Sequence, residues 1–157
     1  MRVIIEPGEL LRDGAIPKSR FVEVLEAWSS DPRIGGVVSF YGLVRADETE
    51  AGRVRASEFS AYREMAEPAL RELVERLAGE IVERYPEEGE GQLRVHLEHA
   101  VGEVAAGEAP ILIVVGAGHR AGAFDLARSV LEELKAKIPI YGKELLKAEG
   151  YRWKQNR

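Results

Sequence analysis

Ile111-Leu-Ile-Val-Val115, Gly116-Ala-Gly-His-Arg-Ala-Gly-Ala-Phe124 and Lys135-Ala-Lys-Ile-Pro-Ile-Tyr-Gly-Lys-Glu144 decide how this chain folds. An unbroken apolar run, a glycine-rich turn and a helical stretch stopped by Pro139 read as strand, turn and helix. The strand is expected over residues 109–115 and the helix over 121–138. A last strand is expected over 140–146, with a short addition at 151–153. The same end is cationic. Residues 134–157 hold Lys135, Lys137, Lys143, Lys147, Arg152, Lys154 and Arg157 against only Glu144 and Glu149, in a chain of net charge −5. A basic island beside a Gly-His-Arg turn at a helix start points to a site for an anion.

Working outward, residues 2–6 read as a first strand. Residues 16–28 read as a short amphipathic helix with Phe21, Leu25 and Trp28 on one stripe, ended by Asp31-Pro-Arg. The β-branched and aromatic segment 35–45 predicts a strand, the polar segment 46–52 a mobile loop, and 54–62 a strand pairing antiparallel with 35–45. Residues 65–85 carry the longest helical pattern, with Leu70, Leu73, Val74, Leu77 and Ile81 on one face. Pro68 places its start near residues 64–67. Residues 87–91 are expected as a surface loop, and 93–99 as a half-exposed strand. Gly102 and Gly107 are expected to punctuate a turn. Phe21, Trp28 and Phe124 are expected in the core. The order βαββαββαβ, with about three helices and no linker, predicts one α+β domain over residues 1–157 with antiparallel strand pairs.

Composition narrows the function classes. Hydrophobic content of 45% with 31% charged residues fits a globular chain rather than a disordered one. The acidic balance argues against general nucleic-acid or membrane-surface binding. No apolar run is long enough to span a bilayer, and residues 1–7 do not resemble a signal peptide, so a cytoplasmic location is expected. The absence of cysteine excludes disulfides, thiolate metal sites and cysteine nucleophiles within the chain. Sulfur chemistry would need sulfur brought from outside. His96 and His99, three apart on a strand, point to opposite faces and do not predict a metal site.

Gly116-x-Gly118-x-x-x-Gly122 has one residue too many for a dinucleotide fingerprint, and the acid near the required distance, Glu144, sits among lysines. It reads either as a turn needing flexible backbone or as an anion site. In the second reading, free N–H groups at the helix start are aided by Arg120 and His119. Lys135 and Lys137 near a helix end favour the helix dipole and, alone, describe a solvated face. Lys143 alternates with Tyr141 on one strand face. Glu98 and Glu103 are more simply solvated acids than a catalytic pair.

Six segments in order resemble the large, catalytic subunit of molybdopterin synthase. These are Val38-Ser-Phe-Tyr-Gly-Leu-Val-Arg45, Glu58-Phe-Ser-Ala-Tyr-Arg-Glu-Met65 and His99-Ala-Val-Gly-Glu-Val104 with Gly107-Glu108. Gly118-His-Arg-Ala-Gly-Ala-Phe124, Leu134-Lys-Ala-Lys-Ile-Pro-Ile-Tyr-Gly-Lys-Glu144 and Gly150-Tyr-Arg-Trp153 complete the set. The resemblance implies an α/β hammerhead-type fold and a homodimer of large subunits within a heterotetramer. Each large subunit would bind a small ubiquitin-like sulfur-carrier subunit whose C-terminal Gly-Gly thiocarboxylate enters the site. The implied reaction is sulfur transfer to cyclic pyranopterin monophosphate, forming the dithiolene of molybdopterin, with no cofactor.

Residue by residue, the resemblance makes Lys135 the lysine beside the entering tail, there for electrostatic stabilisation and proton transfer. Arg45, His119 and Arg120 match residues holding the pterin phosphate, the His-Arg pair supplied across the dimer interface. Arg152 matches a basic residue near the pocket. A second family lysine falls on Gly142. Its role passes to Lys143 if a bulge re-aims it, or to Lys137, or Lys135 acts alone. The competing reading is a non-catalytic phosphate- or nucleotide-binding module at the helix start.

Overall fold

A long central strand organises the chain in the computed structural model, which describes residues 3–89, 93–148 and 150–154. Residue 2 of the expected first strand, residues 90–91 of the expected surface loop, and Glu149 and Arg157 of the basic island lie outside the described residues. Strands are β1 (Val3–Glu6), β2 (Leu11–Asp13), β3 (Gly36–Gly42), β4 (Glu48–Thr49), β5 (Gly52–Ala61), β6 (Leu93–Ala105), β7 (Ile111–Ala117), β8 (Ile140–Leu146) and β9 (Tyr151–Trp153). Helices are α1 (Arg20–Trp28), α2 (Arg63–Arg84) and α3 (Arg120–Lys137), with a 3-10 turn at Pro86–Gly89. The main sheet path runs β3-β7-β6-β5-β8-β9; β1 and β2 pair parallel with β6, and β4 pairs with β5.

The first half of β6 pairs with β7 from Arg94 to His99, and its end pairs with β5 from Gly102 to Ala105. Gly102, at φ +93°, sits inside this strand rather than in a turn, a conformation that suits glycine where β6 changes partners. Gly107 does mark the turn that follows. β6 is not half-exposed as its alternation predicts. Helices α2 and α3 pack Leu70, Leu77, Leu126 and Val130 against Leu93, Val95, Ile113 and Val115. Trp28 and Val24 of α1 meet Leu112 and Val114 from the other face. With cover on both sides, β6 and β7 are buried throughout most of their length.

Other expectations also shift. β3 pairs with β7, not with β5, while β5 lies between β6 and β8. In the sheet, β7 and β6 lie between these two strands, which follow one another in the sequence apart from the short β4. Residues 46–52 contain a short antiparallel pairing of β4 with β5, pinned by the Thr49 hydroxyl donating to the Gly52 carbonyl at 2.6 Å. Helix α1 begins only at Arg20, because Ile16 is engaged in a bridge with Ala109. Its buried residues are Val24 and Trp28, and Leu25 is exposed. Helix α2 starts at Arg63, so Pro68 falls in its second turn and the Glu64 carbonyl loses its helical donor there. Phe124 is 61% exposed, since α3 turns Ala123, Leu126, Ala127 and Val130 inward instead.

Candidate active site

Helix α3 ends where Pro139 follows Ile138, whose extended backbone (φ −90°, ψ 134°) is the conformation favoured before proline. The chain then enters β8, which turns Ile140, Gly142 and Glu144 to one side. Those residues line a cleft of about 770 Å³ together with Lys135, Arg45, Arg152, Trp153 and Lys154. Leu134 and the ring of Phe59 give it an apolar footing.

The cleft is basic. Arg45 pairs with Asp47 at 3.1 Å, and Arg152 with Glu144 at 2.5 Å, so each arginine is matched by an acid of the same wall. Lys135 and Lys154 add two further cations. At the base lies His99, its ring edge-on to Phe59 at 5.1 Å. Its Nδ1–H donates to the Ala100 carbonyl at 2.8 Å, which leaves the lone pair on Nε2. Burial pushes the imidazole down to about 4, against the opposing pull of the Ala100 bond, and Lys154 and Lys135 push it further. His99 is thus neutral near pH 7, so the cations of this wall sit above an uncharged base. Desolvation likewise lowers Lys154 from its ordinary value; Glu144 opposes this, while Lys135 and Arg45 add to it.

The site residues expected from sequence divide into three groups. Arg45, Lys135 and Arg152 meet in the cleft. Lys137 and Lys143 do not reach it. Lys137 pairs with Glu133 one turn back on α3, at 3.0 Å. Lys143 lies on the opposite face of β8, 3.0 Å from Glu58 and 4.8 Å from the Tyr151 ring centre. The bulge that would re-aim Lys143 does not occur. Pairing of β8 with β5 runs without interruption from Leu145 to Ile140. His119 and Arg120 form the third group, exposed at the far end of β7, beside Gly36 rather than Gly42. The length of β3 separates them from Arg45 by about 20 Å along the strand.

The helix start holds an internal anion. Glu88, 1% exposed, accepts the Gly118 and His119 N–H groups at 2.9 Å each, and its carboxylate lies 3.3 Å from His119 Nδ1. A Cβ on Gly122 would sit 2.9 Å from the Glu88 carboxylate, and one on Gly118 would sit 3.2 Å away. Gly118 and Gly122 of the Gly-x-Gly-x-x-x-Gly pattern are therefore the steric cradle of a buried glutamate, while Gly116 makes room for the Trp28 ring. The sequence pattern puts Glu88 on a surface loop, and nothing in its Glu-rich neighbourhood marks it as different. Glu98 is also buried, held between Arg12 at 3.6 Å, Arg20 at 3.2 Å and His96 at 2.9 Å, while Glu103 pairs with Arg55. Both acids serve the fold.

The sequence pattern does not single out His99, Phe59 and Lys154 as cleft residues. For Lys154 a signal exists. It alternates with Arg152, and period two puts both on one strand face.

Fold and cleft together define a class: an α+β protein with a basic cleft suited to an anionic group, carrying no thiol of its own. The model of the MoaE protein family matches residues 18–137, and this chain belongs to that family. A molybdopterin synthase catalytic subunit of Pyrococcus abyssi is 34% identical over 137 residues, covering 87% of this chain and 85% of that protein. Molybdopterin synthase catalytic subunit 1 of Mycobacterium tuberculosis is 36% identical over 153 residues, covering 93% and 96%. Among solved structures, molybdopterin synthase from Staphylococcus aureus superposes with a TM-score of 0.67 at 25% identity, covering 98% and 96% of the two chains. A complex of subunits 1 and 2 of molybdopterin-converting factor from Helicobacter pylori shares the fold, with a TM-score of 0.70 at 18% identity over 99% and 91%. Among the described residues no helix is long and apolar enough to cross a membrane.

Proposed function

We propose that this chain is the catalytic subunit of a molybdopterin synthase. It takes sulfur from the C-terminal thiocarboxylate of a small ubiquitin-like carrier and delivers it to cyclic pyranopterin monophosphate, forming the dithiolene. The observation that carries this reading is the basic cleft around Lys135 in a family member with no cysteine. Sulfur must arrive on another molecule, and a thiocarboxylate brings both the nucleophile and a negative charge that the cleft's cations attract. The thiocarboxylate sulfur bonds to a pterin side-chain carbon as that carbon's bond to an oxygen substituent breaks. Water then cleaves the acyl–sulfur bond while Lys135 stabilises the charge on the acyl oxygen, which leaves sulfur on the pterin and an ordinary carboxylate on the tail. Arg45 and Arg152 orient anionic groups at the mouth.

His119 and Arg120 act in the cleft of a second copy. Their distance from Arg45 within one chain supports this, as do the exposed Phe40, Leu43 and Phe124, apolar surface that a second copy would cover. The Helicobacter complex of two subunits supports a small protein partner. A phosphate module at the α3 start is disfavoured, because Glu88 already occupies the Gly118 and His119 amides.

Reconstitution tests the reading: purified chain, thiocarboxylated small subunit and cyclic pyranopterin monophosphate, with dithiolene product quantified. Wild type forms product, and Lys135→Ala slows it by about 100-fold with unchanged Tm. No product from wild type, or equal rates for the two proteins, contradicts it.

A further inference from the structure

Gly142 stands where the family resemblance calls for a second lysine, and the structure shows what fills that space. Strand β9 pairs with β8 through Lys143 and Trp153, and the next residue, Lys154, donates its N–H to the Gly142 carbonyl at 2.9 Å. A Cβ on Gly142 would lie 3.0 Å from Lys154 Cδ and 3.0 Å from the Phe59 ring. The Lys154 stem therefore runs through the volume that a side chain at 142 would take. Its ammonium ends 5.2 Å from the Phe59 ring centre, within cation–π reach, on the cleft wall shared with Lys135.

We propose that Lys154 is the second catalytic lysine of this protein, its ammonium reaching the thiocarboxylate beside Lys135 from the neighbouring strand. The inference rests on the sulfur-transfer reading and names a residue that reading leaves open. Neither other candidate competes, since Lys143 is held by Glu58 on the opposite face and Lys137 by Glu133 on the helix. The absence of a side chain at Gly142 and the course of Lys154 are two halves of one exchange, because a lysine at 142 and the present Lys154 stem exclude each other. Desolvation and the nearby Lys135 favour loss of the Lys154 proton, which suits a group that both steadies an anion and hands on a proton.

The test is a lysine swap. Lys154→Ala and the double variant Lys154→Ala/Gly142→Lys are compared with wild type in single-turnover dithiolene formation, beside Tm and small-subunit affinity. In the double variant only the Phe59 ring edge has to yield a few tenths of an ångström. Expected is a loss of about 10- to 100-fold in rate for Lys154→Ala at unchanged Tm, with most of it restored in the double variant. A structural role for Lys154 would not be rescued by an ammonium at 142. Lys154→Ala within about twofold of an active wild type, or a folded double variant that stays as slow as Lys154→Ala, overturns the inference alone. A wild type that makes no product overturns the sulfur-transfer reading and this inference with it.

Discussion

The two ends of α3 carry the same superficial signal, cations beside glycine, and use it in opposite ways. At the start, the amides of Gly118 and His119 converge on Glu88, an anion that belongs to the chain and never leaves. At the end, Lys135 faces an open cleft with Lys154, Arg45 and Arg152, where cations outnumber the acids Asp47 and Glu144. One end directs its electrostatics to folding. The other presents them to an open cleft, where the proposed tail would enter. What separates them is whether a carboxylate from elsewhere in the chain has been buried against the motif.

The comparison can be broken most forcefully at Glu88. Glu88→Ala strands two partly buried N–H donors and opens a void in place of a fully buried side chain, and is expected to cost about 3 kcal/mol, or roughly 10 °C in Tm. The same variant should gain phosphate binding at the Gly118 and His119 amides, visible as chemical-shift changes that wild type lacks. A Glu88→Ala protein as stable as wild type would mean that the helix start is not internally neutralised.

Next comes the neutral base under the cleft. The unfolded chain protonates His99 near its ordinary 6.5, whereas the folded chain holds it neutral down to about 4. Between these values the unfolded state binds the extra proton, so stability falls as pH drops through that window. The contribution is about 2 kcal/mol at pH 5 relative to pH 8. Urea titrations at both pH values should show that difference in wild type and much less of it in His99→Gln. The smallest effect belongs to Lys143→Ala. Its partly exposed pair with Glu58 is worth less than about 1 kcal/mol. Sulfur-transfer rate should stay within about twofold of wild type, because the side chain points away from the cleft.

Local patterns are legible where one face of an element meets one environment. The α2 stripe from Leu70 to Ile81, the buried run of β7 and the span of β8 all follow from period and apolar content. The halt at Pro139 places Lys135 at the cleft edge. Long-range choices are not legible. Pairing of β3 with β7, and burial of β6 on both faces, depend on which apolar surfaces three helices cover, and no local window holds that information. Glu88 and Lys154 escape the sequence pattern for the same reason. One is an acid among acids and the other a lysine in a basic tail, and only tertiary packing sends the first into the interior and the second across Gly142. The pair of Lys137 with Glu133 is readable from its i, i+4 spacing on a helix, but that of Lys143 is not, because Glu58 is an ordinary acid until the fold brings it within 3.0 Å.

Zero-length crosslinking reads out most directly which ammonium the tail meets. A carbodiimide joins the C-terminal carboxylate of the small subunit to the nearest lysine in the complex, and mass spectrometry locates the isopeptide. Linkage at Lys135, with a second product at Lys154, is the predicted result. Linkage confined to Lys143, Lys137 or lysines outside the cleft would contradict the account.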